Sequence, residues 1–231
     1  MNILFFINCM MGDADAAAAT ADADAAMFGV IISLINHHDI DTLRAEYAKG
    51  DERDGGKLNI NALHPLMGTP LNYAVRYMYS GVFVDQLLEW GADVNIRPNN
   101  EEILPLMGVL YNGNLNLIKQ LCEHGADVNI KIDDIPIIFE LVLQDRQIAL
   151  KIFGDFGLNV NVRNENEETP LIYAVKRNLA VMVSILIKLG ADISLTDNQG
   201  QSAMDIAKIG EFNDIIEMLQ HAQGAYIKAA R

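Results

Sequence analysis

Apolar residues come along this chain in short bursts of helical spacing, each broken by a small cluster of polar residues, glycine or proline. Leu71 with Ala74, and Leu171 with Ala174, begin one set of stripes, the alanines allowing close helix approach. A second set follows, carried by pairs such as Leu87-Leu88, Leu121-Cys122 and Leu186-Ile187. Between the two sets lie Ser80-Gly81, Asn112-Gly113 and Arg177-Asn178, where Gly or Asn tolerates a left-handed turn. The pattern predicts pairs of short antiparallel helices. Thr69 and Thr169 are placed to cap the first helix of a pair, with Pro70 and Pro170 at its first position. Gly91, Gly125 and Gly190 are placed to end the second.

These pairs repeat. Gly91-Ala92-Asp93-Val94-Asn95 returns as Gly125-Ala126-Asp127-Val128-Asn129, then as Gly157-Leu158-Asn159-Val160-Asn161 and Gly190-Ala191-Asp192-Ile193-Ser194, at glycine spacings of 34, 32 and 33. A second marker keeps step: Thr69-Pro70-Leu71, Leu104-Pro105-Leu106, Ile135-Pro136-Ile137, Thr169-Pro170-Leu171, then Ser202-Ala203-Met204. A helix pair this short cannot bury both faces alone, so the units must stack. The Thr-Pro-Leu-x-x-Ala and Gly-Ala-Asp-Val-Asn markers at about 33-residue spacing resemble the ankyrin repeat over residues 27–220.

The resemblance implies an all-α, ankyrin-repeat solenoid of stacked helix–turn–helix units with short hairpin fingers. Residues 1–25 are expected to be a low-complexity, disordered tail and 26–222 the repeat domain. Within it, 26–63 reads as a divergent N-cap, with helices around His37-His38-Asp39, an inserted polar loop at 51–56 and a repeat-like ending at Leu58–Asn61. Four repeats follow at 64–97, 98–130, 131–163 and 164–196, then a C-cap at 197–222 and a tail at 223–231. The first repeat carries a one-residue insertion in its inter-helix turn. The third departs further: Glu140 stands where a small core residue belongs, and Phe153-Gly154-Asp155-Phe156 replaces the usual leucine ending. A buried unpaired carboxylate is costly, so the helix here is expected to rotate or lengthen, leave Glu140 partly solvated and bend the stack.

Composition narrows the functional classes. The chain has 17 basic and 31 acidic residues, a net charge of −14, which argues against a nucleic-acid partner and favours a basic protein surface. It is 51% hydrophobic, enough for a large core, yet its longest apolar run, Ala25–Ile35, is 11 residues and too short to span a bilayer. Two cysteines, Cys9 and Cys122, with no CxxC, call for no oxidising compartment. A cytoplasmic monomer is expected, with export as the alternative because Ile3–Ile7 is weakly signal-like. No phosphate loop, no GxSxG and no ligand set beside His37 and His38 is present, so neither catalysis, cofactor nor metal is expected.

The remaining expectation is a binding surface. Fingertips should carry a basic row, Arg97, Lys131 and Arg163, beside an acidic one, Glu102, Asp133 and Glu167 with Glu101, Asp134 and Glu168 adjacent. The rows either neutralise one another or orient a basic partner. The resemblance implies docking at the fingertips and on the concave side of the first helices. Carried onto this chain, that surface comprises Asn100, Glu101, Ile103, Tyr111, Asn112, Lys131, Asp134, Glu165, Glu168, Lys176 and Arg177, with Arg76, Tyr77 and Tyr79 from the first repeat. Arg76, Tyr77 and Tyr111 are the expected anchors, although the tyrosines would serve equally for packing between repeats. Trp90 is either a further anchor or a residue packed on the neighbouring repeat. The implied function is non-enzymatic protein binding. Rival readings are an inhibitor or immunity protein, a secreted effector using ankyrin mimicry, or a structural spacer.

Overall fold

The computed structural model describes residues 21–49, 59–64, 68–78, 81–97 and 104–229. Contacts divide the chain into two units, Met1–Ala126 and Asp127–Arg231.

The first unit opens on α1 (Ala21–Asn36) and α2 (Ile40–Lys49), joined at His37–Asp39. α1 begins inside the segment expected to be a disordered tail, a correction of that boundary. Phe28, Ile31, Ile35 and Leu43 form its buried face, and Phe28 stacks on His64 with ring centroids 4.9 Å apart. α3 (Pro70–Tyr73) runs into a π-helical turn (Ala74–Met78), followed by α4 (Gly81–Glu89), α5 (Pro105–Asn112) and α6 (Leu115–Glu123). The Thr69 hydroxyl accepts from the Asn72 N–H at 3.2 Å, as the capping signal requires. The inserted residue of this repeat is absorbed inside the helix, where a π turn takes up one extra residue per turn. Gly81 is the first residue of α4.

The second unit opens on a two-stranded hairpin, β1 (Lys131–Ile132) and β2 (Ile135–Pro136), in antiparallel register Lys131↔Pro136 and Ile132↔Ile135. Asp133 and Asp134 turn it with φ of 48° and 65°, the left-handed pair a two-residue hairpin needs. Three helix pairs follow: α7 (Ile137–Leu143) with α8 (Gln147–Asp155), α9 (Pro170–Lys176) with α10 (Ala180–Lys188), and α11 (Ala203–Ile209) with α12 (Asn213–Ala229). α7, α9 and α11 form one layer and α8, α10 and α12 the other. α12 runs through the residues expected to be a C-terminal tail.

The third repeat solvates Glu140 through a one-residue shift of its helix start past the proline, without the expected rotation or lengthening of the helix. α7 starts at Ile137 with Pro136 at the N-cap, whereas α9 starts at Pro170 with Thr169 there. The buried set Ile137, Ile138, Phe139, Leu141 and Val142 therefore matches Pro170, Leu171, Ile172, Ala174 and Val175 at an offset of 33. Glu140 falls at the half-buried place of Tyr173 and accepts from the Gln144 side chain. Leu141, not Glu140, takes the alanine position.

Each second helix closes alike. Gly91, Gly125, Gly157 and Gly190 have φ of 86°, 84°, 87° and 89°, and the next N–H returns to a carbonyl five residues back. In the third repeat Gly154 has a second constraint: a Cβ there would lie 2.3 Å from the Leu189 Cδ2. Gly154→Ala is expected to lower stability by about 1–3 kcal/mol through overpacking, read as a shift of the urea midpoint. An unshifted midpoint would mean that Leu189 moves aside freely.

Candidate functional site

The closing Asp-x-Asn of the first two repeats, with Asn-x-Asn and Asp-x-Ser in its place in the third and fourth, is a built structural device. In the first unit the Asn95 N–H donates to the Asp93 carboxylate at 2.8 Å, and Asn95 Nδ2 donates to the Gly125 carbonyl at 2.9 Å. In the second unit Asn129 N–H donates to Asp127 at 2.8 Å, and Asn129 Nδ2 to the Gly157 carbonyl at 3.1 Å. The Asn159 N–H then donates back to Asn129 Oδ1, and Asp192 N–H to Asn161 Oδ1, both at 2.8 Å. This ladder bonds neighbouring repeats and leaves the adjoining fingers to present side chains.

Several residues expected at the partner surface are held within the chain instead. Lys176 Nζ donates to Glu168 Oε1 at 2.7 Å and to Asp197 Oδ2 at 2.9 Å. Glu168 also accepts from Asn164 Nδ2 at 2.7 Å and is 7% exposed, while the Asp197 side chain is 0% exposed. Burial alone would lower the Lys176 pKa, but its hydrogen bonds to Asp197 and Glu168 outweigh this and raise it. The Lys176 hydrogen bond, aided by the Gln201 and Gln199 N–H groups and opposed by burial, holds Asp197 below the usual carboxylate range. Glu168 and Lys176 thus join the fourth repeat to the C-cap.

Asn112 Nδ2 donates to the Val75 carbonyl at 3.0 Å, bracing α5 against the π turn. Trp90 stacks on Tyr47 with centroids 3.8 Å apart and planes 10° from parallel, so it packs on the N-cap repeat. The Arg177 guanidinium lies 3.4 Å over the Tyr173 ring, and Tyr173 meets Phe139 edge-on at 5.3 Å. Arg163 Nη1 reaches the Glu167 carboxylate at 3.3 Å and the carbonyls of Glu167 and Thr196 at 2.7 and 2.8 Å. At that finger the basic and acidic rows neutralise one another.

Other expected residues remain on the surface. Tyr111 is 57% exposed, and Arg76, Lys131, Asp134 and Glu165 are exposed too. Tyr79, Asn100, Glu101, Ile103 and the Tyr77 side chain lie outside the described residues. Two surface residues were missed by sequence reasoning: Leu143, 54% exposed, and Ile209, 71% exposed. Both occupy the seventh position of a first helix, as Tyr111 does. Their signal was an apolar residue 32 or 98 positions after Tyr111, visible once the repeats are aligned on helix starts.

Chemistry is sparse here. Among the described residues no group of three or more His, Cys, Asp or Glu side chains could hold a metal ion. No helix of the described residues is long and apolar enough to cross a membrane. Cys122 is buried, and burial pushes its thiol up to about 11. A groove of about 210 Å³ lies within the second unit between the hairpin base and Leu158–Val162, lined by Ile130, Pro136, Ile137, Ile138, Leu158 and Val162 beside Asn129, Lys131 and Asn159.

Comparison with known proteins bears on these repeats. A family model described as ankyrin repeats (many copies) matches residues 155–207. Alpha-latrotoxin-Lg1a of Latrodectus geometricus is 28% identical over 98 residues, 42% of this chain and 7% of that protein. Ankyrin repeat protein L271 of Acanthamoeba polyphaga mimivirus is 30% identical over 76 residues, 33% of this chain and 10% of that protein. The chain thus spans a tenth or less of these relatives. The solved structure of an ankyrin repeat domain from Acinetobacter baumannii AYE superposes with a TM-score of 0.66 at 23% identity, covering 84% of this chain and 97% of that one.

Proposed function

We propose that this chain, an ankyrin-repeat protein, is a non-enzymatic binding module that engages a basic protein partner through the exposed side of its first helices. Ankyrin repeats are in general protein–protein interaction modules and typically non-enzymatic. The observation that carries the reading is the seventh position of the first helices. In the second unit Leu143 and Ile209 stand there on α7 and α11, 54% and 71% exposed, large apolar bodies with no internal task, while Lys176 holds that place on α9. Side chains of this kind serve as interface anchors when a partner excludes water from them.

The preference for a basic partner has its own basis. The chain carries a net charge of −14. In the second unit Arg163, Lys176 and Arg177 are engaged internally, whereas Asp134 and Glu165 are exposed with no ion pair among the described residues. The acidic excess of the chain is what would steer and orient a cationic surface toward the apolar anchors.

Affinity capture with the full chain identifies the partner, and titration then tests the face. Leu143→Asp and Ile209→Asp are each expected to weaken binding about 30-fold or more, with folding unchanged because both side chains already stand in water. Equal affinity of both variants and the parent chain would remove this face from the interface and favour a spacer.

A further inference from the structure

The outer layer of the second unit carries a surface that binding through the first helices does not use. α8, α10 and α12 pack side by side, and equivalent positions recur every 33 residues. Ile148 on α8 and Val181 on α10 share one such position and are 53% and 52% exposed. α10 is apolar apart from Ser184 and Lys188: Met182, Val183, Ile185 and Leu186 are buried, Ala180, Ser184 and Ile187 are half-buried, and Val181 is exposed. Its one charge is Lys188, at the end. A helix apolar all round is normally covered all round.

The flanks carry charge of opposite sign. Lys151 on α8, Ser184 on α10 and Glu217 on α12 share the next exposed position, in steps of 33. Asp214, at the place of Ile148 and Val181, adds a second carboxylate on the α12 side, and α8 carries the exposed Asp155 one turn after Lys151. Lys151 and Glu217 are exposed, and neither has an ion pair among the described residues. At roughly 10 Å per packed helix they stand about 20 Å apart, too far to meet within one chain.

We propose that this face pairs two copies of the chain about a twofold axis running along α10. Rotation about that axis sets Val181 against its own counterpart. It places Lys151 of one copy opposite Glu217 of the other, and the symmetry makes that pair twice. Lys188 lies at the rim, where its stem covers apolar surface and its ammonium stays in water. A chain of net charge −14 repels itself in general. Self-association therefore needs a patch where a cation on one flank mirrors an anion on the other across an apolar centre. An unrelated partner would not require the two flanks to answer each other. The dimer would replace the monomer expected from the repeat pattern.

Sedimentation velocity on the full chain, at concentrations up to about 100 μM, is expected to show a monomer–dimer equilibrium. Val181→Asp should abolish the dimer with the circular dichroism spectrum unchanged. Lys151→Glu and Glu217→Lys should each weaken dimerisation about 10-fold or more, and the double exchange should restore it to within about 3-fold. A chain that stays monomeric throughout overturns the proposal. So does a Val181→Asp chain that still dimerises, or a double exchange no better than the single ones.

Discussion

Replacement of Lys176 by alanine is expected to destabilise the second unit by about 3–5 kcal/mol, because it leaves two sequestered carboxylates without their cation. The Asp197 side chain is 0% exposed and that of Glu168 10%, beneath a Lys176 side chain that is 30% exposed, so water entering the space it leaves replaces the ammonium only in part. Asp197 retains the Gln199 and Gln201 N–H groups, each at 3.0 Å, and these keep the loss finite. Urea unfolding followed by far-ultraviolet circular dichroism measures the change, and a loss below about 1 kcal/mol would mean that the ion pairs are solvated. The pH dependence follows from the two shifts. Asp197 is lowered on folding, so its contribution is present above its unfolded value of 3.8 and disappears as pH falls through the folded value. Lys176 is raised, so its contribution is complete below its unfolded value of 10.5 and disappears as pH rises through the folded value. The Lys176→Ala penalty should therefore be flat across neutral pH and shrink at both acid and alkaline extremes.

Phe153→Ala is expected to cost a similar amount, about 3–5 kcal/mol. Phe153 is fully buried on α8, among the largest side chains in the molecule so enclosed. Its ring replaces the leucine common to this place, and the neighbouring Gly154 admits Leu189 from the next repeat. With a glycine already at the contact, little side-chain volume is at hand to refill the void. Phe153→Leu, which restores the usual residue, should recover more than half of the loss in the same urea titration. A leucine variant no better than alanine would mean that the repeat has been rebuilt around the aromatic ring.

The helix pairs were legible because their signals are local. Thr69, Thr169 and Ser202 each cap the helix they precede, at 3.2, 3.3 and 3.2 Å, and a cap needs only the next few residues. Glu140 stands one position before the alanine place because Pro136 is the N-cap and not the first helical residue. The pattern held the correction: the prolines of the second and third repeats are 31 apart while their glycines are 32 apart. The candidate site was harder to read, since exposure there depends on residues distant in sequence. Lys176 resembled a free surface lysine until Asp197, 21 positions on, was seen beneath it. Asp197 follows Asn164 by 33, and both organise a loop by accepting N–H groups two and four residues ahead, a correspondence visible in the repeat alignment. Tyr47 under Trp90 has no such signal, because the N-cap repeat is too divergent to align.

The asparagine ladder bears on how such a protein grows or shrinks. Asn95 within the first unit, and Asn129 and Asn161 within the second, reach glycine carbonyls 30, 28 and 29 residues further on, so each of these turns is fastened by the helix end that follows it. The array thus has a direction, as a row of shingles does, and its natural building block runs from one asparagine to the next. Gene duplication or excision with breakpoints at matching places in two repeats hands every asparagine a new glycine of the same kind. Breakpoints out of phase strand an amide at one end and a carbonyl at the other. The ladder therefore makes whole-repeat exchange the change this architecture absorbs most readily.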